Sequence, residues 1–340
     1  MECLARPFIH VIPVIFGHPN LPPARILCIF ATIKHIQHIL SALCVCAFTT
    51  SAQVTLEIKH AENSTVTVQS DVNLKQTLQI AGQEIETQSI QKFTTESDTV
   101  DRAADGTMST QVTFKNWNGK WAFPGGIEMK FDSAVPDAKA PVEQLEPILD
   151  LLRTMIKHPT TQVYSKEGSL NKVTIPEGAL NSLEGPLKNE FSAKQISEGI
   201  KQEHARLPNK AVSKGDTWVR KEVMPLGSGQ VLNFRVDYTY EGTVKKNGRM
   251  LDRITGKVTD AAYEMNGPAV GPLAVKDSDI KPAKSKIDLL FDRKLGRFVE
   301  TKNLIQVKGD MTFVANGQEL PGKLDLTIEQ NTTELPPKKK

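Results

Sequence analysis

Residue types able to do chemistry are present in this 340-residue chain, but few fall at the spacings that chemistry needs. Ser89-Ile90-Gln91-Lys92 and Ser169-Leu170-Asn171-Lys172 match the S-x-x-K pattern, in which a lysine at the start of a helix activates a serine one turn away. Both tetrads stand in alternating, strand-like sequence, and the partner motifs of that chemistry are missing. Of the seven histidines only His60, His158 and His204 lie beyond residue 52. No two of them have metal-ligand spacing, each ends an expected element, and all three read as surface residues. Asp101, Asp105 and Gly106 touch three positions of a calcium loop, but Ala103 and Val112 stand where oxygen ligands are needed, so an Asp-Gly turn accounts for them. Asp277 and Asp279 are loop acids that could help hold a cation, although loop acids are usually just solvated. Gly227-Ser228-Gly229 is neither a nucleophile elbow nor a phosphate loop. No catalytic residue, metal ligand or cofactor is therefore assigned.

The elements that would position any site are mostly strands. Val54, Leu56 and Ile58 alternate with Thr55, Glu57 and Lys59, and Val66, Val68, Val72, Leu74, Leu78 and Ile80 continue the period of two. Turn signals separate such stretches at Ala81-Gly82, Asp105-Gly106, Asn118-Gly119, Asn247-Gly248 and Asn316-Gly317. Asn-Gly tolerates positive φ at both central positions of a tight hairpin, so each of the three pairs predicts one. At Asn118-Gly119 this places Val112, Phe114, Trp121 and Phe123 on one face, expected to be the core. Trp117 then falls on the opposite face, where an exposed indole can stack on a sugar or cover an apolar ligand, or pack against a helix or second sheet. The stretch 266–283, rich in Pro, Gly and Asp, reads as a long loop.

Two stretches are helical. Val142, Leu145, Leu149, Leu152 and Ile156 follow steps of three and four; Pro147 sets the regular helix to begin near Glu146, and Pro159 ends it. Ser192-Ala193-Lys194-Gln195 has the form of a capping box, with Phe191 and Ile196 as a hydrophobic staple. Ile196, Ile200 and Leu207 mark the buried side of this second helix, and Pro208 closes it. The expected fold is α+β, dominated by an antiparallel sheet (curved, or a half-barrel), with two main helices. By segment, 53–180 forms a first strand-rich half with its helix at about 146–158. Residues 181–207 form a helical connector, 208–333 a second strand-rich half, and 334–340 a basic tail.

Residues 1–52 stand apart. They hold all four cysteines, Cys3, Cys28, Cys44 and Cys46, and only one acid, Glu2. Lys34, His35 and His38 precede an apolar run from Ile39 to Phe48, and Thr50-Ser51-Ala52 follows it. This is the pattern of an export signal cleaved between Ala52 and Gln53. The ten-residue run spans about 15 Å as a helix, half of a bilayer's roughly 30 Å apolar core. The alternative is an uncleaved anchor over 26–48, which would place Lys34 and two histidines in the membrane and be the chain's one membrane contact. The expected location is outside the cytosol: periplasm, cell envelope or secreted. Cleavage would remove every cysteine and with them any disulfide. The charge balance, 42 Lys+Arg against 39 Asp+Glu, lacks the basic excess of a nucleic-acid binder.

Three pieces together resemble uncharacterised exported β-rich proteins of planctomycete-type bacteria. They are Pro208-Asn209-Lys210-Ala211-Val212-Ser213-Lys214-Gly215-Asp216-Thr217-Trp218, Met129-Lys130-Phe131-Asp132-Ser133, and the turn from Phe291-Asp292 to Gly296. The resemblance brings no catalytic residues with it. At the level of fold the pattern also resembles bacterial lipoprotein-carrier half-barrels, in which a curved sheet and covering helices enclose an apolar hollow. The expected function is thus non-enzymatic: an envelope protein binding an apolar ligand or a protein partner in a sheet-and-helix hollow. Val112, Phe114, Trp121, Leu149, Leu152 and Ile156 are the candidate lining, and would serve equally as ordinary core. The alternatives are a structural or interaction protein of the envelope, and a hydrolase whose site a single sequence does not reveal.

Overall fold

A computed structural model describes residues 53–183, 188, 191–227, 230–265 and 273–337. Residues 1–52, where the export leader and its cleavage at Ala52 are expected and all the cysteines lie, together with Ser228-Gly229 and the first part of the 266–283 stretch, lie outside the described residues. Among the described residues the chain forms twelve strands and two main helices. They are β1 (Ser64–Ile80), β2 (Gln83–Thr99), β3 (Met108–Ala122), β4 (Glu128–Asp132), α1 (Glu146–Lys157), β5 (Thr160–Tyr164), β6 (Leu170–Thr174) and α2 (Ala193–His204). There follow β7 (Thr217–Gly227), β8 (Gln230–Lys246), β9 (Arg249–Met265), β10 (Leu273–Asp292), β11 (Arg297–Ala315) and β12 (Gln318–Glu334).

All strands belong to one sheet in the order β6-β5-β3-β2-β1-β12-β11-β10-β9-β8-β7, with β4 pairing β3 off this path. Every ladder is antiparallel. The fold is thus the sheet-dominated α+β class that the period-two patterns predict. Its two meanders meet where β1 pairs β12, with Val68 opposite Glu334 and Ile80 opposite Gly322.

Two of the three Asn-Gly pairs turn hairpins: φ is +50° and +77° at Asn247-Gly248, and +51° and +78° at Asn316-Gly317. The third does not. Asn118 and Gly119 run through the interior of β3, opposite Lys92 and Gln91 of β2. A different demand accounts for Gly119. A Cβ there would stand 2.1 Å from the Trp121 ring, so the glycine lets that ring lie against its own strand. The β2–β3 register also shifts where Asn116 faces Thr94 and Phe114 faces Thr95, leaving Lys115 as an extra residue. This bulge changes the side-chain phase. Phe114 and Trp117, expected on opposite faces, share one, with ring centroids 4.7 Å apart and nearly parallel.

The loop expected at 266–283 is also corrected, because residues from 273 on belong to β10. Register shifts beside Val275 and Pro282 absorb the residues that disfavour a strand. Toward β9 the regular ladder covers only Ile287–Phe291. Beyond it Ser285 Oγ accepts from Val258 N at 2.7 Å, and Ser278 Oγ bonds Tyr263 N at 3.3 Å and Tyr263 O at 3.1 Å. Two hydroxyls thus replace backbone pairing along a stretch where proline could not supply it.

Candidate functional site

Each helix lies against the sheet in its own way. Pro147 in the first turn starts α1, and its apolar stripe buries Ile148, Leu149, Leu151 and Leu152. Ile148, Leu149 and Leu152 of that stripe pack with Phe114, Trp117, Trp121, Met129 and Phe131 of β3 and β4 in one buried cluster, while Leu151 packs with Ala179 and Leu183. α2 begins at Ser192, whose hydroxyl accepts from Gln195 N at 3.4 Å, and it bridges the two edges of the sheet. On one side Ile196 packs with Tyr164, Leu170 and Val173 of β5 and β6. On the other, Gln202 pairs with the edge strand β7 as a peptide would, its amide donating to Val223 O at 2.9 Å and accepting from Val223 N at 3.1 Å. The turn after α2 is held by Trp218 Nε1 on Arg206 O at 2.8 Å and by Arg220 on the carbonyls of Ala205 and Leu207.

Between α2 and the inner face of the sheet lies a hollow of about 420 Å³. Strand residues spaced two apart line it, among them Val68, Ser70, Val72 and Leu74 of β1 and Ile328, Gln330, Thr332 and Glu334 of β12. The β1–β12 ladder is graded along the hollow. Leu74 faces Ile328, then Val72 faces Gln330, then Ser70 faces Thr332 with their hydroxyls 3.2 Å apart. Phe93, Val112, Phe114, Met155, Phe298 and Met224 add apolar wall, and Ile196, Ile200, Glu203 and Arg206 form the helical side.

A buried polar network stands behind the helical wall. Arg206 Nη2 and Nε reach Glu222 Oε2 at 3.0 and 3.3 Å, and Tyr238 OH donates to Glu222 Oε1. Glu222 is 2% exposed and Arg206 8%. Burial alone would weaken the charge on Arg206, but the carboxylate of Glu222 holds it firmly protonated. Glu203 keeps an accessible side chain although it lies deep in the protein, because it borders the hollow. Burial raises its proton affinity; the Arg206 cation opposes this and Glu222 adds to it.

Beside this network the N-terminal segment docks, with Val54 and Val212 exchanging backbone hydrogen bonds and Lys59 N donating to Gly296 O at 2.8 Å. It carries His60 onto Tyr164, ring centroids 3.7 Å apart, with His204 at 6.1 Å from His60. Both histidines are half-buried, which corrects their reading as surface residues. Burial lowers the pKa of each to about 4, and for His60 the neighbouring His204 adds to the effect. His158 is exposed.

The structure divides the six candidate lining residues. Val112 and Phe114 border the hollow. Trp121, Leu149 and Leu152 are buried in the cluster beneath α1, with Ile156 packed against it. Trp117 is not an exposed platform. It is 0% exposed, its Nε1 donating to Gln91 Oε1 at 3.3 Å. The S-x-x-K residues of β2 do not meet: Ser89 is buried and accepts from Gln91, whereas Lys92 reaches outward to Asp71. Asp105 accepts from Thr107 N and Oγ1 at 2.9 and 2.7 Å, as an Asx turn does. Asp277 and Asp279 lie in β10 rather than in a loop. Among the described residues no group of three or more His, Cys, Asp or Glu is placed to hold a metal ion, and no helix is long and apolar enough to cross a membrane.

A family model described as a family of unknown function, DUF6263, matches residues 105–261, somewhat less than half of the chain. That range contains α1, α2 and two of the three motifs behind the resemblance to exported proteins. No curated protein matches the chain. Among solved structures, lipovitellin is similar over 82% of this chain and 26% of its own, at 11% identity and a TM-score of 0.40. The chain therefore spans about a quarter of that protein's length. A putative exported protein with a YmcC-like fold from Bacteroides fragilis is similar over 80% of this chain and 98% of its own, at 10% identity and a TM-score of 0.21. OccK5 of Pseudomonas aeruginosa gives 81% and 100%, 8% and 0.25.

Proposed function

We propose that this chain is a non-enzymatic, exported envelope protein that holds an apolar or amphipathic small molecule between α2 and the inner face of its sheet. The observation that carries this reading is the hollow itself. Its volume of about 420 Å³ falls in the range of small-molecule sites, roughly 300–1,000 Å³. The exposed area of its wall is mainly apolar, with polar side chains interspersed along the strands and at Glu203 and Arg206, a mixture that small-molecule sites use for hold and orientation. The adjoining region beneath α1 is by contrast a cluster of buried apolar side chains. The leader-like pattern of residues 1–52 supports the exported part of the reading.

The test is binding of an uncharged, environment-sensitive alkyl fluorophore to the purified protein, with mass spectrometry of an organic extract of the same preparation. Saturable fluorescence enhancement is expected, and Ile200→Trp, which fills the hollow from α2, abolishes it while the thermal midpoint is kept. Absence of both a retained small molecule and saturable binding in the wild-type protein would overturn the reading. The compartment is tested separately, by the amino terminus of the protein from its native host, expected to begin at Gln53.

A further inference from the structure

We propose that the hollow selects amphiphiles whose polar end donates hydrogen bonds, a primary ammonium above all, and that Glu203 is the residue that receives it. This rests on the hollow being a ligand site and adds the chemical class of its ligand. Ile196, Ile200, Glu203 and Leu207 follow steps of four, three and four along one side of α2 and the turn that ends it. The carboxylate therefore occupies a place in the inward stripe that a fourth apolar residue would fill.

The other charges on the wall already have partners. Arg206 is paired with Glu222. Glu300 is paired with Lys246 and Lys302, and Glu334 with Arg249 and Arg297 at 3.1 and 2.8 Å. Among the described residues the Glu203 side chain makes neither a hydrogen bond nor an ion pair. A second polar atom on the same wall, Thr160 Oγ1, is buried without a partner. An ionised carboxylate only accepts, and a hydroxyl can accept as well as donate, so a donating head group is the one that both Glu203 and Thr160 can meet. An anionic head would meet Glu203 with every wall cation committed elsewhere, whereas an ammonium would form a charge-assisted bond in a setting of low polarity.

The experiment displaces the uncharged fluorophore from the full chain with dodecylamine, dodecanol and dodecanoate, each below its micelle concentration, near neutral pH. In the wild-type protein dodecylamine is expected to bind about tenfold tighter than dodecanol, with dodecanoate weakest. In Glu203→Gln the amine should fall to within about threefold of dodecanol, whose own affinity is unchanged. Dodecanoate binding as tightly as the amine, or an amine preference that survives Glu203→Gln, overturns the assignment. Where dodecanol still binds in those cases, the hollow stands as a ligand site and only the head-group class is lost. Failure of all three to displace the fluorophore overturns the assignment, while the hollow as a ligand site stands or falls by the fluorophore's own saturable binding and its loss in Ile200→Trp. The ranking in the wild-type protein decides by itself if the variant does not fold.

Discussion

The two helices have the same length, twelve residues each, and lie on the same sheet, yet one closes its interface and the other does not. α1 turns Ile148, Leu149 and Leu152 inward onto tryptophan and phenylalanine rings and Leu151 onto Ala179 and Leu183, and its charges stay outside. There Arg153 pairs with Glu146 and Asp150 and caps the carbonyls of Pro136 and Ala138. α2 buries only Ile196 and Gly199, while Glu203 and Arg206 face the protein. Amphipathic spacing brings a helix to the sheet. The chemistry of the last inward turn then decides whether the seam seals or a space remains.

This contrast can be broken from its polar side first. Glu222→Ala leaves the Arg206 guanidinium buried without its counter-charge, and a loss of about 3–5 kcal/mol in urea denaturation is expected. The double variant Arg206→Met/Glu222→Leu should recover most of it; a single variant within about 1 kcal/mol of wild type would show that water reaches the pair freely. On the dry side, Leu149→Ala should cost about 3 kcal/mol through the cavity it leaves, against about 2 or less for Ile196→Ala, whose surroundings adjoin open space. Equal losses would remove the distinction between the two seams.

The histidines sharpen the comparison through pH. His60 and His204 have folded pKa values of about 4 against 6.5 when unperturbed, so between these limits the unfolded chain binds more protons than the folded one. Stability should therefore fall on acidification from pH 7 to pH 4, by on the order of 2–3 kcal/mol for each histidine, and change little below that on their account. The groups facing them include Tyr164 for both rings and the Arg102 cation for His60. His204→Gln should flatten part of this slope in denaturation midpoints taken across the range, and an unchanged slope would assign the acid sensitivity elsewhere. The smallest effect belongs to Gln202→Ala, which frees the N–H and C=O of Val223 on the sheet edge. About 1 kcal/mol is expected, together with faster amide exchange at Val223.

Much of the architecture was legible because period-two patterns and turn chemistry are local. Asn247-Gly248 and Asn316-Gly317 turn as their dipeptides demand, and Ser192 caps α2 as its tetrad suggests. The errors came where a distant partner decides. Asn118-Gly119 carries the same turn signal, but pairing of β3 with β2 and the Trp121 ring use the glycine for close approach instead. Trp117 changed faces because one bulge residue, Lys115, shifts the phase, and nothing local marks a bulge. The segment from 273 onward was hidden by Pro282, whose missing N–H is offset by serine hydroxyls that only the folded sheet brings near. Part of the candidate site was readable: Glu203 stands between Ile200 and Leu207 at helical spacing, a charge in an apolar stripe. Its surroundings were not, since Glu222, Tyr238 and Tyr164 come from three strands scattered along the chain.

The β1–β12 ladder has a consequence for how the protein is made. The first long strand to be synthesised cannot complete its pairing until the last one is available, some 240 residues later. Such high contact order implies slow folding and a prolonged period with unpaired strand margins. A chain truncated before β12 should therefore not be a smaller version of this protein. It would be two meanders lacking their common seam, each exposing a long edge open to association with another chain.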